Sequence, residues 1–133
     1  MDGPTSRIDT PIANLWMDDD NIIHIHFKTT DEHGIEEARV VVSAHNQLAA
    51  GQPCLVLANI QDVKVGADRA ARKYYVSEES SKYKLGMAML VQSPMQRMLG
   101  NIFVKLSRPP YPTRLFSQAD KAKEWLHSVG TES

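Results

Sequence analysis

Residues 85–116 read LGMAMLVQSPMQRMLGNIFVKLSRPPYPTRLF, and this stretch decides the fold class. Its first seven residues are apolar with no polar face, which predicts a strand buried on both sides. Ser93 then precedes Pro94, with Gln96 three residues on. That is a capping box with proline at the first helical position, a specific helix start. Met95, Met98, Leu99, Ile102, Phe103 and Leu106 follow at helical spacing and form the stripe expected to face the sheet. Gly100 inside that helix costs about 1 kcal/mol relative to alanine, so a close contact is expected there. The segment RPPYPT from Arg108 excludes helix, and Thr113–Phe116 predicts a short strand. Strand, helix and strand in this order point to a sheet covered by helices.

Outward from this unit the same alternation continues. Residues 54–60, CLVLANI, predict a second strand buried on both faces, bounded by Pro53 and Gln61-Asp62. Residues 35–50 carry Ile35, Ala38, Val42, His45 and Ala49 on one stripe, an amphipathic helix that Gly51 ends. Residues 22–28, IIHIHFK, alternate with period two, a strand with one wet face. The turn Asp18-Asp19-Asp20-Asn21 joins it to the apolar run 14–17 as a hairpin. Residues 67–75 and 77–83 are helix-prone, the second with Ser77 as N-cap. Ser117 opens a last helix with Ala119, Ala122, Trp125, Leu126 and Val129 on its buried side. The expected order is ββαβα(α)βαβα: an α/β, single-domain mixed β-sheet with packed helices. Residues 1–11 are expected to be a flexible N-terminal arm, 12–130 one domain, and 131–133 a tail.

Composition narrows the function. A chain of 133 residues buries about two thirds of its surface, enough for one domain. Apolar residues make 42% and charged residues 23%, which excludes a disordered chain. Fifteen Lys and Arg against sixteen Asp and Glu give a net charge of -1, which argues against a nucleic-acid binder. A single cysteine, Cys54, rules out an intrachain disulfide or a multi-cysteine zinc site. No run reaches the ~20 apolar residues of a membrane span, and the N-terminus does not read as a secretory signal. The expected compartment is the cytoplasm.

The element order resembles the STAS domain, the fold of bacterial anti-sigma-factor antagonists of the SpoIIAA type. DRAARKYY at 68–75, residues 93–116 and ADKAKEWLH at 119–127 carry the resemblance, over roughly residues 14–128. They are similar to a group of small bacterial SpoIIAA-like proteins without an established activity. The resemblance implies a partner-binding switch, with a phosphorylated serine in an Asp-Ser pair after the central strand. Here that pair falls near Ala67-Asp68, and residues 59–76 contain no serine. Asp68 therefore stands at the switch-equivalent position as a fixed negative charge or, more simply, as a helix N-cap.

Other candidate residues carry less chemistry. His24 and His26 share one strand face and could hold a metal, but no further ligand pair stands at suitable spacing, and a solvated face explains them. His45 reads as a buried helix residue and Cys54 as inert core. No nucleophile elbow, phosphate loop or dinucleotide fingerprint is present, so neither an enzyme nor a cofactor is expected. Lys64, Arg69, Arg72 and Lys73, beside Tyr74 and Tyr75, form one basic block. Lys105, Arg108 and Arg114, with Tyr111, form another. Both are candidate surfaces for a protein partner or for self-association. Met87, Met89, Met95 and Met98, with Phe103, suggest an adaptable apolar pocket for a small or lipid-like ligand. The leading expectation is a non-enzymatic STAS-like regulatory or interaction module. The alternative is a carrier or sensor of an apolar small molecule.

Overall fold

The computed structural model describes residues 6–131. In chain order the elements are β1 (Arg7–Asp9), β2 (Ala13–Met17), β3 (Ile22–Phe27), α1 (Ile35–Ala49), β4 (Cys54–Asn59), α2 (Arg69–Tyr75), α3 (Glu78–Ser81), β5 (Lys84–Leu90), α4 (Pro94–Ile102), β6 (Thr113–Phe116) and α5 (Ala119–Thr131). Helix α4 runs on into a π-helical turn, Phe103–Ser107.

The six strands form one sheet in the order β1-β2-β3-β4-β5-β6. β1, β2 and β3 pair antiparallel, and β3, β4, β5 and β6 pair parallel. The expected hairpin is β2–β3. Asp18 closes its turn by accepting through Oδ1 from the amides of Asp20 and Ile22, while Asn21 takes the left-handed conformation at φ 64°. The N-terminal arm needs correction. Arg7–Asp9 pair with Asn14–Trp16 as an edge strand, anchored where Thr10 both donates to and accepts from Ala13. Residues 1–5 of the expected arm and 132–133 of the expected tail lie outside the described residues, and Thr131 closes α5.

The alternation of side chains along each strand divides the interior in two. Ile23, Ile25, Val56, Ala58, Met87 and Met89 face one side, together with Val41 and Ala44 of α1 and Phe103. Ile22, Leu55, Leu57, Ala88 and Leu90 face the other, against Ala122 and Leu126 of α5. Strand β4 feeds both cores, as its unbroken apolar run requires.

Helix α4 is rotated relative to its expected stripe. Met95 and Met98 are exposed, at 38% and 54%, and Leu106 at 73%. The cause is Gln96, which is buried. Its Nε2 donates to the carbonyls of Gln61 and Val63, and its Oε1 accepts from the amides of Gln92 and Ser93. This turns residues 96, 100 and 103 inward and the two methionines outward. The π-helical turn, with its wider i→i+5 spacing, then moves Leu106 off the stripe. Gly100 meets the sheet closely, since a Cβ there would lie 2.8 Å from Leu115 Cδ2.

Leu57 is 3% exposed and packs on the α5 side of the sheet. Leu57→Ala should cost about 2–5 kcal/mol, the usual range for emptying a core leucine site. Urea denaturation of both proteins measures this, and a loss below about 1 kcal/mol would mean that the α5 layer is not tightly packed.

Candidate functional site

The two helical layers differ. A single helix, α5, covers one face of the sheet. Short pieces cover much of the other, and between them and β3–β5 lies a cavity of about 110 Å³. Ile25, Phe27, Val41, Met87, Met89 and Phe103 supply much of its apolar wall. Three of the five residues expected to form an apolar pocket, Met87, Met89 and Phe103, therefore line it. Met95 and Met98 do not. Met98 instead borders a shallow outer groove with Pro94, Lys105 and Leu106.

Polar side chains enter the cavity wall at two places. At the C-terminal ends of the parallel strands, His33 Nε2 and the Tyr75 hydroxyl are 2.6 Å apart, with the two rings edge to face. Burial lowers the His33 pKa, against the pull of Glu37 and Asp68, and burial raises that of Tyr75. Arg72 also lines the cavity and donates from Nη1 to the Ala67 carbonyl.

At the opposite end stand His45, Ser80, Lys84 and Tyr111. Asn46 Nδ2 donates to both the carbonyl and the carboxylate of Glu79, so Asn46 Oδ1 must accept from His45 Nδ1. That leaves His45 Nε2 as a lone-pair acceptor, 3.8 Å from Cys54 Sγ. The pair is not a nucleophile. Burial pushes the thiol up to about 11 and the imidazole down to about 4, the reverse of a thiolate–imidazolium couple. Lys84 Nζ donates to the Ser80 carbonyl and to Ser80 Oγ at 3.3 Å, and burial lowers its pKa to about 8. Tyr111 is buried, and among the described residues its hydroxyl has no hydrogen-bond partner.

Several candidate residues occupy other places. Asp68 caps α2, its Oδ1 accepting from the Ala71 amide. Lys64, Arg69, Lys73 and Arg108 are exposed. Tyr75 and Tyr111, expected on a contact surface, instead face the cavity, and Arg72 is half-buried there. Arg114 of the second basic block stands apart from the first block. Arg114 pairs in register with Ala88 and stands over the Phe116 ring, on the α5 side of the sheet, whereas α2 covers the other side. His24 is bonded to Asp18 and stacked on Trp16, and His26 is bonded to Asp62. Among the described residues no three His, Cys, Asp or Glu side chains form a metal cluster.

Sequence reading missed Lys84, His33, Ser80 and Gln96 as interior residues. For Lys84 a signal existed. A lysine that opens a strand apolar on both faces must bury its stem.

A family model described as a domain of unknown function (DUF7793) matches residues 15–130. The chain belongs to that family. None of the curated proteins matches it. Among solved structures it is similar to a DUF3478-family protein with a SpoIIAA-like fold from Shewanella loihica PV-4. The two share 14% identity over 90% of this chain and 98% of that one, with a TM-score of 0.62. A second, of unknown function from Arthrobacter sp. FB24, shares 21% identity over 85% of this chain and 97% of that one, with a TM-score of 0.30. The DUF7793 chain thus has a SpoIIAA-like α/β fold, and among its described residues no helix is long and apolar enough to cross a membrane.

His45 makes the fold sensitive to acid. Its unfolded pKa is 6.5 and its folded pKa about 4, so in this window the unfolded state binds the extra proton. The stabilisation is complete above pH 6.5 and is lost as pH falls toward 4. His33 shifts in the same direction. Between about pH 7.5 and pH 5, His45 alone should account for roughly 2 kcal/mol. Urea midpoints of the wild type and His45→Gln at both pH values check this. An equal drop in the two proteins would remove His45 as the cause.

Proposed function

We propose that this DUF7793 chain is a non-enzymatic binding module that takes a small apolar molecule into the cavity above β3–β5. The observation that carries this reading is the cavity itself: about 110 Å³, walled by Met87, Met89, Phe103 and aliphatic side chains. A cavity of ~150 Å³ with a similar lining stays dry and takes up benzene. A single ring or a short branched chain therefore matches this space, and a long acyl chain does not. The methionines suit such a role, since thioether side chains adapt to differently shaped apolar ligands. Burial keeps the Cys54 thiol and the cavity tyrosines protonated at neutral pH, so none of them supplies an anionic nucleophile.

Selective methyl labelling of methionine tests this reading. Addition of toluene or benzyl alcohol should shift the Met87 and Met89 resonances and leave those of exposed Met95 and Met98 in place. Val41→Phe, which puts a ring into the cavity from α1, should abolish the shifts while the fold remains. Unmoved Met87 and Met89 signals with both probes would reject the cavity as a binding site.

A second reading, contact with a protein partner or a second copy, is favoured by the outer groove of α4. Exposed Met98 and Leu106 border it between the cationic side chains of Arg97 and Lys105. Helix α2, with exposed Arg69 and Lys73, packs against the same π-helical turn. An apolar partner surface with an acidic rim matches this face, and Asp68, occupied as a cap, gives it no phosphate-dependent switch. Sedimentation velocity and cross-linking read any association. Met98→Asp with Leu106→Asp should abolish it, and Arg114→Glu, on the other side of the sheet, should not. The opposite pattern would assign the contact to the α5 side.

A further inference from the structure

The cavity's polar groups are not balanced. Arg72 and Lys84 bring cationic groups to its wall, Tyr75, Tyr111 and Ser80 bring hydroxyls, and among the described residues no aspartate or glutamate lines it. The two ends differ in how far these groups are satisfied. Near the C-terminal ends of the strands, Arg72 is bonded to the Ala67 carbonyl, His33 to Tyr75, and the carboxylates of Glu37 and Asp68 act on His33. At the other end Lys84 meets only Ser80, and among the described residues no carboxylate lies within ion-pair distance of its amine. Its neighbours there are the neutral Cys54 thiol and the neutral His45 imidazole.

Tyr111 stands at this same end. The Met87 amide donates to the Pro112 carbonyl, which fastens the segment carrying Tyr111 beside the start of β5, where Lys84 sits. The Tyr111 side chain is 7% exposed, lines the cavity, and ends in a hydroxyl with no partner among the described residues. A buried hydroxyl without a partner is uncommon and costs stability, as does a buried ammonium without a counter-ion. One ligand chemistry relieves both: an anion with two acceptor oxygens at the end of an apolar body. A carboxylate accepts a charge-assisted bond from an ammonium and a second bond from a phenol.

We infer that the ligand class of this cavity is a small apolar monocarboxylic acid, its carboxylate between Lys84 and the Tyr111 hydroxyl and its body against Met87, Met89 and Phe103. This rests on the cavity-binding reading above and adds the head group to it. Water fills the same polar end less well, because it brings no charge to Lys84. A neutral alcohol of the same shape satisfies Tyr111 and leaves Lys84 uncompensated.

The experiment compares matched acid and alcohol pairs on the full chain by calorimetry at neutral pH: benzoate with benzyl alcohol, and isovalerate with isoamyl alcohol. Each acid should bind at least tenfold more tightly than its alcohol. Lys84→Met, which keeps the stem and removes the charge, should bring the two within a factor of about three. Tyr111→Phe removes only the hydroxyl and should weaken the acid severalfold while the fold persists. It therefore keeps the test decisive should Lys84→Met fail to fold. Alcohols that bind as tightly as the acids would overturn the carboxylate assignment and leave the cavity reading standing. Acids that bind more tightly than their alcohols but bind Lys84→Met and Tyr111→Phe as tightly as the wild type would also overturn it. No binding of either series would remove the cavity reading and the head-group assignment together.

Discussion

Strand β4 has no polar face, and the rest of the architecture follows from that constraint. Val56 and Ala58 point to one side and Leu55 and Leu57 to the other, so the strand is stable only between two covering layers. At about 25 cal/mol per Å² of apolar surface removed from water, leaving either side open would forfeit several kcal/mol. The sheet must then have strands on both edges of β4 and helices on both of its faces. Parallel pairing of β3 to β6 supplies one layer, because each crossover between parallel strands carries a helical segment, and α5, after β6, supplies the other.

The two layers meet the constraint unequally. Helix α5 lies on one face as a continuous element, and Leu126 and Ala122 are fully buried against Leu55, Leu57 and Leu90. On the other face α1 is long, but α2 and α3 have only seven and four residues, and α4 gives way to a π-helical turn. Short pieces joined by turns cannot interdigitate with a twisted sheet as one long helix does. Gln96 adds to this. By filling its hydrogen bonds with the Gln61 and Val63 carbonyls, it brings α4 onto the loop after β4 and turns Met95 and Met98 away from the sheet.

The sequence carried the fold further than the site. Strands β4 and β5, the Ser93 capping box and the α1 stripe were legible because each depends on local spacing alone. Edge strand β1 was not, since a run of three residues shows no period. The stripe of α4 was misplaced by one position, because hydrophobic spacing assumes that apolar residues decide which face is buried. Here a glutamine decides it. Arg72, Tyr75 and Tyr111 were assigned to a surface by their charge and aromatic character, yet each reaches the cavity. Whether a long amphipathic side chain turns inward depends on tertiary packing, and no local pattern records it. Met87, Met89 and Phe103, singled out for the clustering of flexible thioethers beside an aromatic ring, lie along the cavity wall.

The electrostatics of the Lys84 end follow from the same incomplete covering. Burial acts on every titratable group there toward neutrality: it raises the Cys54 thiol to about 11 and lowers the His45 imidazole to about 4. Lys84 is displaced in the same sense, to about 8, but not past neutral pH. At pH 7 the thiol and imidazole are therefore uncharged, and the ammonium is the one charge left among them. Lys84 also contributes to the lowering of His45, because its positive charge disfavours a second one beside it. A positive charge held in this way beside an apolar space keeps its field, because among the described residues no carboxylate lies within ion-pair distance of it. A cation entering from solvent is repelled by that charge, whereas a neutral donor still finds acceptors in His45 Nε2 and Ser80 Oγ.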